Sequence, residues 1–210
     1  MRFKDRVDAG QKLAAALEKY KREDVVVYAI PRGGVVLGYE IAKQLEAPLD
    51  LVIPRKVGHP LSPEYAVCVV AEDGEMLCNE AEAAMVDKKW LQAAAEKERK
   101  EAQRRRQVYL GGRPPLSPQD KIAILVDDGV ATGLTFLLAI RQLRRLHPKQ
   151  VVAAIPVAPQ ETAQLLRAEA DELVVLHAPR MYLGAVGAYY DEFEQVEDEE
   201  VIKLLSDRTG

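Results

Sequence analysis

The apolar positions of this chain fall into two alternating patterns. Short, largely apolar runs occupy residues 25–30, 49–53, 122–126, 151–157 and 173–176. Runs of that length, bounded by Gly, Pro and Asp, are expected of parallel strands buried on both faces. Between them the apolar residues take up helical spacing: Leu13, Leu17 and Tyr20 on one face, then Val36, Leu37, Ile41, Ala42 and Leu45, then the stretches 134–146 and 160–168. Asp8, with Gln11 three residues on, is the predicted N-cap of the first helix. Repeated strand-helix-strand order predicts an α/β fold with a central, mainly parallel sheet flanked by helices and with ligands at the carboxyl ends of its strands.

Residues 57–117 break this rhythm. The polar stretch 58–64, with Pro60 and Pro63, is predicted to be a mobile loop. A hairpin follows over 67–77, turning at Asp73-Gly74. A two-residue turn there pairs Val69 with Cys78, which puts Cys68 and Cys78 on opposite faces, so no disulfide is expected. A long helix capped by Asn79, with Ala84, Leu91, Ala95 and Ala102 at helical spacing, ends at Gly111-Gly112 and Pro114-Pro115. Its charged stretch 96–106, including Arg104, Arg105 and Arg106, mixes both signs and reads as a solvated face. The chain therefore divides into a core of about residues 21–56 and 120–177, an insertion of about 57–117 and a small C-terminal hood of about 178–210, together one domain.

Composition narrows the partners. The 210 residues are 48% apolar, enough for one sizeable core, and Lys+Arg 29 against Asp+Glu 33 gives a net charge of -4. No nucleic acid and no membrane surface is recommended by that balance. Without a leader or an apolar run of membrane-spanning length, the expected location is cytoplasmic. His147 and His177 lack metal-ligand spacing to another His or Cys, so no structural zinc is expected.

The chemistry is concentrated in residues 122–135. Two adjacent carboxylates, Asp127 and Asp128, end a buried strand, and a short loop with Gly129 and Gly133 leads straight into a helix. Such a loop turns several backbone N–H groups toward one point at the positive end of the helix, and Thr132 and Thr135 add hydroxyl donors, a setting for phosphate. Carboxylates beside a phosphate site make electrostatic sense only if they face a neutral or cationic part of the ligand, such as a vicinal diol or a metal ion. Ribose 5-phosphate offers that combination. The bland alternative is a turn after a strand with Thr132 capping the next helix.

The segment Val126-Asp-Asp-Gly-Val-Ala-Thr-Gly-Leu-Thr135 resembles the diphosphate-sugar signature of type I phosphoribosyltransferases. The resemblance implies that Asp127 and Asp128 hydrogen-bond the ribose hydroxyls of 5-phosphoribosyl 1-diphosphate, while Gly129, Val130, Ala131, Thr132, Gly133, Leu134 and Thr135 wrap its 5-phosphate. Pro31-Arg-Gly-Gly34 looks like the family's diphosphate loop, with Arg32, Gly33 and Gly34 at the oxygens. Arg55 and Lys56 resemble the basic pair at the root of the catalytic loop. A bacterial and archaeal subgroup with unassigned acceptor is closer still, through Phe3-Lys-Asp-Arg6, Pro54-Arg-Lys-Val-Gly-His-Pro60, Pro63-Glu-Tyr-Ala66, Ala185-Val-Gly187 and Tyr190 to Phe193. The implied reaction is Mg²⁺-dependent phosphoribosyl transfer to a nitrogenous acceptor with release of diphosphate, in an enzyme expected to be a homodimer. The metal is carried by the substrate, without an assigned protein ligand. Tyr182 in the hood is a candidate to stack on the acceptor, and His59 and Glu64 are secondary candidates in the loop. Where the oxopurine-specific branch carries an acid two residues after the position of Gly129, this chain has Ala131, which disfavours hypoxanthine and guanine. Two other functions stay open: a non-catalytic regulatory module that binds phosphoribosyl diphosphate, and a metal-dependent phosphohydrolase using Asp127 or Asp128.

Overall fold

The structure is a computed structural model, described for residues 1–207 and, at positions 63 and 64, for the backbone only. Five parallel strands form the central sheet: β1 (Val25–Ala29), β2 (Leu49–Leu51), β6 (Ile122–Val126), β7 (Gln150–Val157) and β8 (Glu172–His177), in the spatial order β2-β1-β6-β7-β8. β1 thus pairs with β2 on one side and β6 on the other, both parallel. In a doubly wound sheet this is where the chain reverses its winding and where the loops leaving two adjacent strands diverge to leave a crevice. The mainly parallel, helix-flanked sheet expected from the alternating patterns is the one observed.

Alternate residues of the buried strands feed two cores, as their twofold side-chain period requires. Val25, Val27 and Ala29, with Ile122, Ile124 and Val126, pack against α1 (Arg6–Ala16), α2 (Gly33–Leu45) and α7 (Asp198–Ser206). Val26 and Tyr28, with Ala123 and Leu125, pack against α5 (Leu134–Arg144) and α6 (Gln160–Glu169) on the opposite face. The cap of α1 is Asp5, whose carboxylate accepts the Asp8 amide at 2.8 Å; Asp8 itself is in the first turn.

The insertion is a three-stranded antiparallel sheet, β3 (Arg55–His59), β4 (Ser62–Val70) and β5 (Met76–Cys78). The stretch 58–64 is not a loop: it is the end of β3, a tight turn and the start of β4, with His59 opposite Ser62. Gly58 and the prolines, which signal a loop in the sequence, instead mark a register irregularity around Gly58, the turn at Pro60 and the start of β4 at Pro63. The following hairpin turns through three residues, not two. Ala71 N–H donates to Glu75 O at 2.8 Å and Gly74 takes a φ of 93°, the pattern of a turn followed by a left-handed glycine. One extra residue shifts the register by one, so Cys68 lies opposite Cys78 and the two are joined as a disulfide. The expectation of separated cysteines is corrected by that shift.

The long helix is also two. Asn79 caps the short α3 (Glu80–Ala83), and Asp87 starts α4 (Lys88–Leu110), which ends at left-handed Gly111. Arg104 and Arg105 pair with Glu101 on the helix surface, whereas Arg106 turns inward to Glu72, to buried Asp50 and to the Leu51 carbonyl. Arg106 thereby ties helix, hairpin and central sheet together, with no place in the crevice.

Candidate active site

The crevice at the carboxyl edge of β1 and β6 is a cavity of about 400 Å³. Its walls come from the loop after β1 (Pro31, Arg32, Gly33), the root of β3 (Arg55, Lys56), the loop after β6 (Asp127 to Gly133, with Thr135) and Val186 of the hood. Residues more than a hundred positions apart in sequence meet here because β1 and β6 are hydrogen-bonded neighbours.

Two helices aim their amino ends at this space. α2 starts at Gly33 after Arg32 and α5 starts at Leu134 after Gly133, and neither has a side-chain cap. The first amides of a helix lack partners within it, so two sets of uncommitted N–H donors and two positive dipole ends converge on one cavity. Gly133 reaches its left-handed φ of 87° without a Cβ penalty. The loop between β6 and α5 is fixed from behind: Val130 N–H donates to Val157 O at 2.9 Å, and the Thr162 hydroxyl donates to Ala131 O at 2.7 Å. Thr132 stands exposed at the rim.

The acids lie beside the donors. Asp127 Oδ1 accepts the Asp128 amide at 2.8 Å, and Asp128 Oδ2 accepts from Arg6 Nε at 2.8 Å. Burial, and next the charge of Asp128, hold the Asp127 carboxyl well above the ordinary carboxylate range. Burial also raises Asp128, opposed by the Arg6 guanidinium. Gly34 allows the start of α2 to press against the acids: a Cβ there would lie 3.0 Å from both the Asp127 Cα and the Val126 carbonyl oxygen. The Pro31–Arg32 peptide is cis.

The cations have different states. Arg32 is loosely held by Asp198 and Glu197 near the start of α7, at 3.5 and 3.6 Å. Arg55 is bound to Glu98 of α4 at 2.8 Å, whereas Lys56 is exposed at the cavity wall. His59 does not line this cavity; its Nδ1 accepts the Leu61 amide at the hairpin turn. The Glu64 side chain lies outside the described residues. Tyr182 is off the cavity wall, stacked on Tyr189 with ring centroids 5.4 Å apart, and Tyr190 donates its hydroxyl to Asp128 O at 2.5 Å. Gly34 and Leu134 stand behind their lining neighbours.

Arg6, Tyr190 and Val186 belong to the site and were not assigned to it from sequence. Each lies in a motif at one end of the chain, yet nothing in composition or periodicity places those ends beside residues 127–129. Among the described residues there is no group of three or more His, Cys, Asp or Glu side chains placed to hold a metal ion. Two acids beside anion donors suit a cation that arrives on a ligand's own oxygens rather than one held in a protein cage.

Comparison with known proteins agrees with this geometry. A Mycobacterium tuberculosis (strain H37Rv) protein, provisionally named a phosphoribosyl transferase, is 38% identical over 205 residues, 97% of this chain but 46% of its own length. Its counterpart in strain CDC 1551 matches to the same extent, so the chain spans about half the length of these curated relatives. The crystal structure of TT1426 from Thermus thermophilus superposes with a TM-score of 0.83 at 40% identity, covering all of both chains. The family described as phosphoribosyl transferase domain matches residues 3–192, and the chain belongs to that family.

Proposed function

We propose that this protein binds 5-phosphoribosyl 1-diphosphate in the crevice between β1 and β6 and transfers its phosphoribosyl group to a nitrogenous acceptor. The observation that carries this reading is the convergence of two uncapped helix starts on the same cavity as Asp127 and Asp128. One helix start would serve a 5-phosphate and the other a diphosphate, and the two acids would accept hydrogen bonds from the ribose diol between them.

In the proposed reaction the bond from C1 of the ribose to the diphosphate oxygen breaks, C1 gains oxocarbenium character, and the acceptor nitrogen supplies the electron pair of the new bond. Catalysis is then positioning and charge stabilisation. Residues 129–135 fix the 5-phosphate, Asp127 and Asp128 fix the ring, and Arg32 and Lys56 offset charge on the leaving diphosphate. Mg²⁺ arriving with the substrate would neutralise part of that charge. Arg55 joins the other cations if its pairing with Glu98 opens. The β3–β4 hairpin, with Leu61 90% exposed at its turn, is suited to fold over the cavity and exclude water. Ala131 stands where the oxopurine-specific branch carries an acid, which supports an acceptor other than hypoxanthine or guanine.

The test is release of diphosphate from phosphoribosyl diphosphate and Mg²⁺ when candidate bases are added one at a time. Release that depends on a particular base supports the transferase. Binding with no release, across a broad panel of nitrogenous acceptors, favours the regulatory module that the same donor site would serve.

A further inference from the structure

The second acid of the pair is controlled from the far end of the chain. Residues 3–5 run beside the hood: Phe3 N–H donates to Tyr189 O at 2.8 Å, Asp191 N–H to Phe3 O at 2.9 Å, and Glu192 N–H to Lys4 O at 2.8 Å. This pairing brings Arg6 to Asp128 at the edge of the crevice. Its Nε donates to Asp128 Oδ2 at 2.8 Å, and Nη1 donates to Glu194 O at 2.6 Å. The ring of Phe193 lies against the guanidinium, 3.8 Å from centroid to Cζ, and is backed by Tyr190 at 4.8 Å. Arg6 and Asp128 retain only 12% and 16% side-chain exposure.

A carboxylate, a carbonyl and an aromatic face thus hold the guanidinium in place. A bond of this kind is directional and weakly screened. Asp128 is held by two further contacts: Tyr190 donates to its carbonyl at 2.5 Å, and its amide is bound by Asp127. Gly33 passes so close that a Cβ would lie 2.6 Å from Asp128 Cγ and 2.8 Å from Arg6 Nε.

We infer that Arg6 is a positioning residue, set by the paired N-terminal segment and hood, which locks the Asp128 carboxylate in the orientation that binds a ribose hydroxyl. Arg6 does not line the cavity, so it acts through Asp128. The inference rests on the proposed sugar site and adds to it a dependence on the two chain ends: the hood is part of the donor site as well as a cover for the acceptor.

The experiment uses the full chain with Arg6→Met, Arg6→Lys and Phe193→Leu, titrated calorimetrically with ribose 5-phosphate and, separately, with inorganic phosphate. Inorganic phosphate reports the backbone donors of the helix starts, to which Arg6 makes no hydrogen bond. Arg6→Met is expected to weaken ribose 5-phosphate about tenfold or more while inorganic phosphate changes less than about twofold; Arg6→Lys recovers part of the loss, and Phe193→Leu shows a smaller loss of the same selectivity. If Arg6→Met does not fold, the Lys and Leu variants carry the same comparison. Equal losses for both ligands, or ribose 5-phosphate affinity equal to wild type, would overturn the inference while leaving the sugar site standing. A wild-type protein that binds inorganic phosphate but gains nothing from the ribose, or binds neither ligand, would overturn both.

Discussion

The two adjacent acids are held in such different surroundings that their amides should have opposite effects on stability. Asp127 has burial and the neighbouring charge of Asp128 against it, and its Oδ1 accepts the Asp128 amide, a bond that an asparagine retains. Asp127→Asn therefore removes a desolvated, repelled charge and keeps the bond. Relief on the order of 1 kcal/mol is expected from one like charge at this range, raising the melting temperature by roughly 2–4 °C. Asp128→Asn instead strands the Arg6 guanidinium, which is 12% exposed. Breaking a buried pair costs about 3–5 kcal/mol, and because the amide oxygen still accepts, about 2 kcal/mol, or roughly 4–8 °C, is expected here.

The pH dependence follows from the direction of the Asp127 shift. An acid whose folded pKa is raised penalises the native state above that pKa, and the penalty fades as pH falls through the folded value toward the unfolded one. The gain from Asp127→Asn should thus be larger at about pH 8 than at lower pH and vanish near about pH 4, the ordinary carboxylate range. Thermal melts of the ligand-free protein followed by circular dichroism, at both ends of that range and across the descent, measure both effects. Melting shifts of the same sign for the two amides at the alkaline end, or a gain from Asp127→Asn that persists unchanged at the acid end, would refute the reasoning. Ribose 5-phosphate affinity should fall in both variants, so at Asp127 the gain in stability is bought with function.

Three further outcomes are expected. Gly33→Ala places a methyl on the Asp128 carboxylate, so calorimetry should find ribose 5-phosphate affinity reduced about 100-fold or more in a folded protein; wild-type affinity would mean that the acid moves freely. Cys68 and Cys78, ten residues apart and bonded, should give no thiol titre until reduced, and reduction should cost about 2–3 kcal/mol by the loop it opens; two reactive thiols in the unreduced native protein would contradict the register of β4 and β5. Lys56 is exposed, so Lys56→Ala should leave the melting temperature within about 1 °C while slowing diphosphate release about 100-fold; an unchanged rate would remove Lys56 from the reaction.

Much of the core was legible because buried parallel strands leave short apolar runs that few other elements produce, and residues 122–126 and 151–157 both became strands of the central sheet. The site was legible as two loops, after β1 and after β6, since glycines and paired acids at strand ends carry their chemistry locally. The insertion was less so. Its outcome turned on one residue in a turn: Asp73-Gly74 fits a two-residue reversal as well as the three-residue one that forms, and that single step exchanges the faces of every residue on β5. Pro60 and Pro63 likewise read as loop, although a proline is tolerated at a hairpin turn or where its missing N–H is not required. Arg6 was hidden for another reason. An arginine in the first turn of a surface helix is commonplace in sequence, and only the pairing of residues 3–5 with the hood brings it to Asp128.

The central claim is that Asp127, Asp128 and the loop into α5 form a site for a phosphorylated ribose. It is tested most directly by titrating the purified protein with phosphoribosyl diphosphate and Mg²⁺ in a calorimeter, alongside the Asp127→Asn/Asp128→Asn double variant. Saturable binding at one site per chain, tighter than for ribose 5-phosphate and lost in the double variant, is the predicted result. No binding by the folded wild-type protein, or binding that the double variant retains in full, would contradict the account.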